Sequence, residues 1–87
     1  MNAINFNEAR VMITWAGQTG DLPDTVDFRA SDLQIKRWAT EAVRSGGVPG
    51  IDADGRADCR DFVVDRFLAN AVRPYPLIQV RPKTPFG

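Results

Sequence analysis

One stretch limits the possible folds more than any other: Ser31 to Gly47 reads as a single, fully punctuated amphipathic helix, with β-like runs on both sides. Ser31 is a helix N-cap with Gln34 three residues on, the spacing of a capping box, and Asp32 lies in the first turn, where a carboxylate opposes the helix dipole. Ile35, Trp38, Ala39, Ala42 and Val43 then recur at helical period and form one apolar stripe. Lys36, Arg37, Thr40, Glu41 and Arg44 take the wet side. Ser45-Gly46-Gly47 supplies a left-handed stop, and Pro49 keeps the helix from resuming. At this spacing Trp38 is a core residue rather than a binding aromatic. A lone helix must bury its stripe on something, and the flanking runs can only provide a sheet.

Before the helix, Val11-Met12-Ile13-Thr14-Trp15 is β-branched and aromatic, with Val11, Ile13 and Trp15 on one face. Turn residues occupy 17–24, and Thr25-Val26-Asp27-Phe28-Arg29 alternates again, so the two runs are expected to pair as a hairpin across a long loop. Met1 to Ala9 is read as an N-terminal arm or a lengthened first strand. After the helix, Asp61 to Phe67 admits a short strand or a helical turn followed by one, and a strand from Phe62 is the reading taken. Tyr75 to Arg81 closes the domain as a strand with a nearly continuous apolar centre, suited to a central position covered on both faces, with Pro76 confined to its start. The order strand, strand, helix, strand, strand, with the last strand parallel to the first, is α+β: a mixed four- to five-stranded sheet packed on one helix. The expected units are an arm (1–9), the domain (10–81) and an extended tail (82–87). Trp15 and Phe67 become candidate surface contacts if the sheet face opposite the helix is bare.

Composition narrows the chemistry. The 87 residues contain no histidine, which removes the Ser-His and Cys-His pairs and the usual nitrogen ligands for metals. Eleven basic and eleven acidic residues cancel without a run of either sign, so neither nucleic acid nor an anionic membrane is indicated as a partner. Cys59 lies between Asp58 and Arg60 with Asp61 next, and acidic neighbours raise a thiol pKa, so it reads as a small semi-buried residue rather than a nucleophile. A lone cysteine and no signal-type or long apolar segment point to the cytoplasm. Asp52-Ala53-Asp54-Gly55-Arg56-Ala57-Asp58 imitates a calcium loop, but Arg56 stands at the third acidic position, the glycine comes too early and Val63 replaces the closing glutamate. It is a polar turn, and no metal or cofactor is expected. The eleven scattered Asp and Glu read as a solubilising surface, and an enzyme working through Asp61 or Asp65 lacks any pocket signature, so the chain is expected not to be an enzyme.

The tail is the remaining candidate. Pro82 and Pro85 give no backbone donor and fix φ, so Pro82-Lys83-Thr84-Pro85-Phe86-Gly87 cannot join a core and should project as an extended strip ending on a glycine that a narrow channel could admit, the alternative being an ordinary frayed terminus.

From Val11 to Gly87 the chain resembles ubiquitin and its bacterial relatives, the β-grasp modifiers. Thr25-Val26-Asp27-Phe28-Arg29-Ala30-Ser31-Asp32 is similar to ubiquitin's second strand running into its Ser-Asp helix start, and Gly46-Gly47-Val48-Pro49 to the Gly-Ile-Pro after its helix. Asp54-Gly55-Arg56 with Arg60-Asp61-Phe62 resembles its Asp-Gly-Arg and Ser-Asp-Tyr, and Leu77-Ile78-Gln79-Val80-Arg81 its closing strand.

This resemblance implies a ubiquitin-like fold and a modifier that is a monomer when free. Its partners would be an E1-like activating enzyme, an E2-like conjugating enzyme, a deconjugating protease and a target protein. Gly87 would supply the reacting carboxylate, and Arg81, Pro82, Lys83, Thr84, Pro85 and Phe86 would be recognised by those enzymes. The sequence departs from the pattern where ubiquitin ends in two glycines: here Phe86 precedes the last glycine, so dedicated enzymes would need a wider aromatic slot. Lys36 and Lys83 are the only side-chain amines, which favours single modification over lysine-linked chains. Two alternatives stay open, a sulfur carrier of the same fold and a β-grasp binding module that is never conjugated.

Overall fold

The computed structural model describes residues 7–83. In chain order the elements are β1 (Glu8–Trp15), β2 (Gln18–Asp21), β3 (Val26–Asp27), α1 (Asp32–Ser45), β4 (Val63–Phe67) and β5 (Leu77–Arg81). The sheet runs β2-β1-β5-β4, with β3 paired to the start of β1, and α1 packs on one face: a mixed five-stranded sheet on one helix, the α+β arrangement of a β-grasp. As expected, β1 and β5 pair parallel at the centre, Val11 beside Ile78 and Ile13 beside Val80.

The helix forms where its caps dictate. The Ser31 hydroxyl accepts the Gln34 amide at 3.1 Å, so one otherwise unpaired N-terminal donor is satisfied. At the other end Gly46 adopts φ 75°, and its N–H reaches the Val43 carbonyl while that of Gly47 reaches Ala42, closing a Schellman turn. Ile35, Ala39 and Val43 are buried, with Trp38 and Ala42 half-buried beside them. They meet Ala9, Val11 and Ile13 of β1 and Ile78 and Val80 of β5 in one apolar cluster. Fully burying an aliphatic side chain of this size stabilises the fold by about 1.5–3 kcal/mol relative to leaving it exposed.

The expected hairpin is replaced by a tighter one. Ala16 and Gly17 both have positive φ, 51° and 79°, the requirement of a type I′ two-residue turn, so the chain reverses at once and β2 pairs with the end of β1. Between the pairs Met12–Asp21 and Ala9–Val26 the return limb advances five residues while β1 advances three, a two-residue bulge at Leu22 to Thr25. The run beginning at Thr25 therefore pairs with Glu8 and Ala9, not with Val11 to Trp15. The usual Asn-Gly or Asp-Gly signal is missing because Ala16 takes the first left-handed position, which is why the sequence concealed the turn. β1 accordingly starts at Glu8, and Ala9 is fully buried.

β4 starts one residue later than expected, at Val63. The expectation that β5 is covered on both faces is corrected. Ile78 and Val80 are buried under the helix, but Leu77, Gln79 and Arg81 lie on the opposite face and are half-buried. A strand of five residues with a polar residue at its middle and another at its end satisfies one buried face only.

Two further ties position the helix. From β4, the Arg66 guanidinium donates to the carbonyls of Phe28 (2.6 Å) and Ala30 (2.7 Å) and pairs with the Asp32 carboxylate, fastening the sheet edge to the start of α1. A Cβ on Gly20 would collide with the Pro49 carbonyl, so only glycine lets the segment after the helix close on β2.

Candidate functional site

The candidate site begins where β5 leaves the sheet. β5 is bonded on both sides, parallel to β1 and antiparallel to β4, so its end is held rigidly. In the β4–β5 register Val63 faces Arg81 and Asp65 faces Gln79, which puts Asp65 diagonal to Arg81 on the open face. The Arg81 Nε donates to Asp65 Oδ2 at 2.8 Å, with side chains 42% and 33% exposed. This pair fixes the last residue of the strand, and Pro82 and Lys83 follow it as exposed residues. Of the residues assigned to the tail, Arg81, Pro82 and Lys83 are thus placed together at one end of the sheet. Thr84, Pro85, Phe86 and Gly87 lie outside the described residues.

Apart from Asp65, the other candidates occupy different parts of the molecule. Asp65 is committed to Arg81, and Asp61 is exposed ahead of β4. Cys59 is fully buried and its backbone N–H donates to the Thr40 hydroxyl at 2.9 Å. Burial pushes its thiol pKa up; the Thr40 hydroxyl opposes the shift and the Asp58 charge adds to it. In the calcium-like segment, Asp54 Oδ1 accepts the Arg56 amide and Oδ2 the Trp15 indole N–H at 3.1 Å. The Arg56 amide, the indole and the Arg56 charge hold the Asp54 carboxyl below the usual range against an opposing effect of desolvation. Asp52 is bound on both sides by Gln18, whose amide donates to the carboxylate and accepts from the Asp52 backbone N–H. These carboxylates pin a loop to the β1–β2 hairpin. Among the described residues, no three His, Cys, Asp or Glu side chains gather in metal-holding positions.

Two aromatic residues were open to a surface role. Trp15 belongs to the covered side, stacked on Phe62 with ring centroids 5.6 Å apart. Phe67 is 40% exposed at the end of β4, with the Arg73 guanidinium 5.9 Å from its ring centroid. The structure also assembles a basic groove along α1, between the helix and Asp58 to Arg60, that no motif announced. Its only trace in the sequence is the wet stripe of the helix, in which three of five residues are cationic. Among the described residues, no helix is long and apolar enough to cross a membrane.

The class these observations define is a small α+β domain whose central strand β5 is followed by exposed Pro82 and Lys83. Comparison with protein-family models, curated proteins and solved structures gives no significant match.

Proposed function

We propose that this chain is a ubiquitin-like protein modifier that reacts through the carboxylate of Gly87. The carboxylate attacks the α-phosphate of ATP in an E1-like enzyme and pyrophosphate leaves. A cysteine thiolate then displaces AMP, and after passage through an E2-like enzyme an amine or hydroxyl of the target displaces the thiol. The observation that carries the reading is the setting of β5, a central strand clamped by two neighbours and by the Arg81–Asp65 pair, which delivers an exposed Pro82 and Lys83 outward from the fold. A rigid base under a proline-stiffened strip lowers the ordering cost that a partner's channel must meet. Arg81, Pro82, Lys83, Thr84, Pro85 and Phe86 serve as the strip those enzymes grip, and the protein itself supplies no catalytic group.

The test is to express the N-terminally tagged chain in its own cells and capture it under denaturing conditions. Adducts that survive boiling and reductant, and whose proteolysis yields a peptide branched through Gly87, are the expected outcome, and deletion of Gly87 removes them. Adducts that persist without Gly87, or none at all, sink the reading. A product in which sulfur replaces one terminal oxygen identifies a sulfur carrier instead.

A further inference from the structure

α1 carries a second stripe that the core does not use. Leu33, Lys36, Arg37, Thr40 and Arg44 share one side of the helix, each three or four residues from a neighbour in the set. Segment 57–60 runs beside that stripe, held by three bonds: Lys36 Nζ donates to the Arg60 carbonyl (3.2 Å), Arg44 Nε to the Ala57 carbonyl (2.7 Å), and the Cys59 amide to Thr40 Oγ1 (2.9 Å). The walls of the intervening groove are therefore fixed by hydrogen bonds at three levels.

The groove has a volume of about 270 Å³. That is slightly below the range of enclosed small-molecule pockets, roughly 300–1,000 Å³, and much of its lining is exposed, so it suits side chains of a passing polypeptide better than a metabolite. Its charge is lopsided. Lys36, Arg37, Arg44 and Arg60 face Glu41 and Asp58, four cations against two carboxylates, on a chain whose formal net charge is zero. Arg60 is partly neutralised by Asp58 at 3.2 Å, and Lys36 and Arg44 each hold a carbonyl. Arg37 makes no hydrogen bond or ion pair among the described residues, which leaves its guanidinium fork open to a carboxylate. Beside these cations Leu33 is 64% exposed, an apolar side chain outside the core cluster on the surface of α1.

We infer that this groove docks an acidic segment of a partner protein, with a carboxylate on Arg37 and an apolar side chain against Leu33. Charge complementarity sets the occupant's sign, and the exposed leucine requires that it also carry an apolar residue. The pairs are solvent-exposed, so binding is modest and falls with salt. The inference goes beyond Gly87 chemistry and uses none of the tail.

The experiment titrates the 15N-labelled full chain at low salt with the peptide Glu-Glu-Leu-Leu-Glu-Glu, and in parallel with Gln-Gln-Leu-Leu-Gln-Gln. The acidic peptide is expected to shift the amides of Leu33, Arg37, Thr40 and Arg60 saturably, and the glutamine peptide to leave them unmoved. Arg37→Glu, on the wet side of the helix and outside the core, weakens binding by about tenfold or more, as reversal of a rim charge should. Leu33→Ser weakens it several-fold, and Arg56→Glu, the same charge change off the groove, leaves it unchanged. Shifts scattered over the surface, equal loss in Arg56→Glu, or equal binding of the glutamine peptide overturn the inference. So does a titration in which phosphatidylserine vesicles or a DNA duplex perturb these residues while the acidic peptide does not.

Discussion

Among the described residues, two long segments lack regular structure, and they are held differently. Residues 46–62, between α1 and β4, bury Val48, Ile51, Ala57 and Cys59 in the core. Beside local turn bonds they carry long-range ties: Trp15 to Asp54, Gln18 to Asp52, Thr40 to the Cys59 amide and Arg44 to the Ala57 carbonyl. Residues 68–76, between β4 and β5, leave Leu68 74% and Val72 95% exposed. The bonds that shape them are mostly local, Asn70 Oδ1 accepting the amides of Val72 and Arg73 while the Arg73 guanidinium reaches back to the Leu68 carbonyl at 2.7 Å. The first segment is a wall of the core in all but hydrogen-bond pattern. The second is a loop shaped by its own polar side chains. Absence of helix or strand therefore says nothing about how much a segment contributes to stability; burial and the sequence distance of its partners decide that.

The comparison is broken most severely at Ile51. Ile51→Ala is expected to cost about 2–5 kcal/mol in urea denaturation, because a buried aliphatic group is lost and a cavity remains. Val72→Ala in the other segment should stay within about 0.5 kcal/mol of the parent, since nothing buried changes. Equal effects at the two sites would end the distinction. Next in size is Gly20→Ala, whose new methyl meets the Pro49 carbonyl and forces the first segment off β2; a loss of about 1–3 kcal/mol is expected. Arg73→Ala should lower global stability by no more than about 1 kcal/mol while hydrogen exchange speeds up in 68–76 and not in 46–62.

The smallest effects are those of pH, and both titrating groups belong to the first segment. Asp54 has a folded pKa below its unfolded one, so its contribution is complete above the ordinary carboxylate value of about 3.9 and is lost as pH falls through the lowered folded value. The Trp15 indole N–H resonance should move in that same acidic window, and Asp54→Ala should abolish the movement. Cys59 has the opposite sense. Its raised folded pKa means the unfolded thiol ionises first, so stability declines as pH climbs past the ordinary thiol value of about 8.5. Cys59→Ser should flatten that alkaline decline, and alkylation of the native thiol should require opening of the segment.

Much of this architecture is legible in the chain itself. The limits of α1 follow from Ser31 and Gly46, and the buried residues of the helix from a period that can be counted. The parallel pairing of β1 with β5 was expected from the order of the elements, though not the single buried face on which Ile78 and Val80 lie. The hairpin is not legible, because Ala16 hides a turn that Asn or Asp would have declared. The groove is not legible either: Asp58 and Arg60 lie more than a dozen residues beyond Arg44, and nothing local indicates that they return to the flank of α1. Of the tail, only Arg81, Pro82 and Lys83 are placed, and the partnership of Arg81 with Asp65 depends on a β4–β5 register that neither strand specifies alone.

The sequence by itself determined the order of most elements, the ends of the helix and the residues it buries. Caps, left-handed glycines and hydrophobic period act within one or two turns of chain, so they can be read one segment at a time. Only the tertiary structure decided the strand register, the docking of 46–62 against β1 and β2, and the gathering of basic side chains along α1. Those depend on which distant groups come within a few ångströms, and that is settled by burying the whole core at once rather than by any local preference.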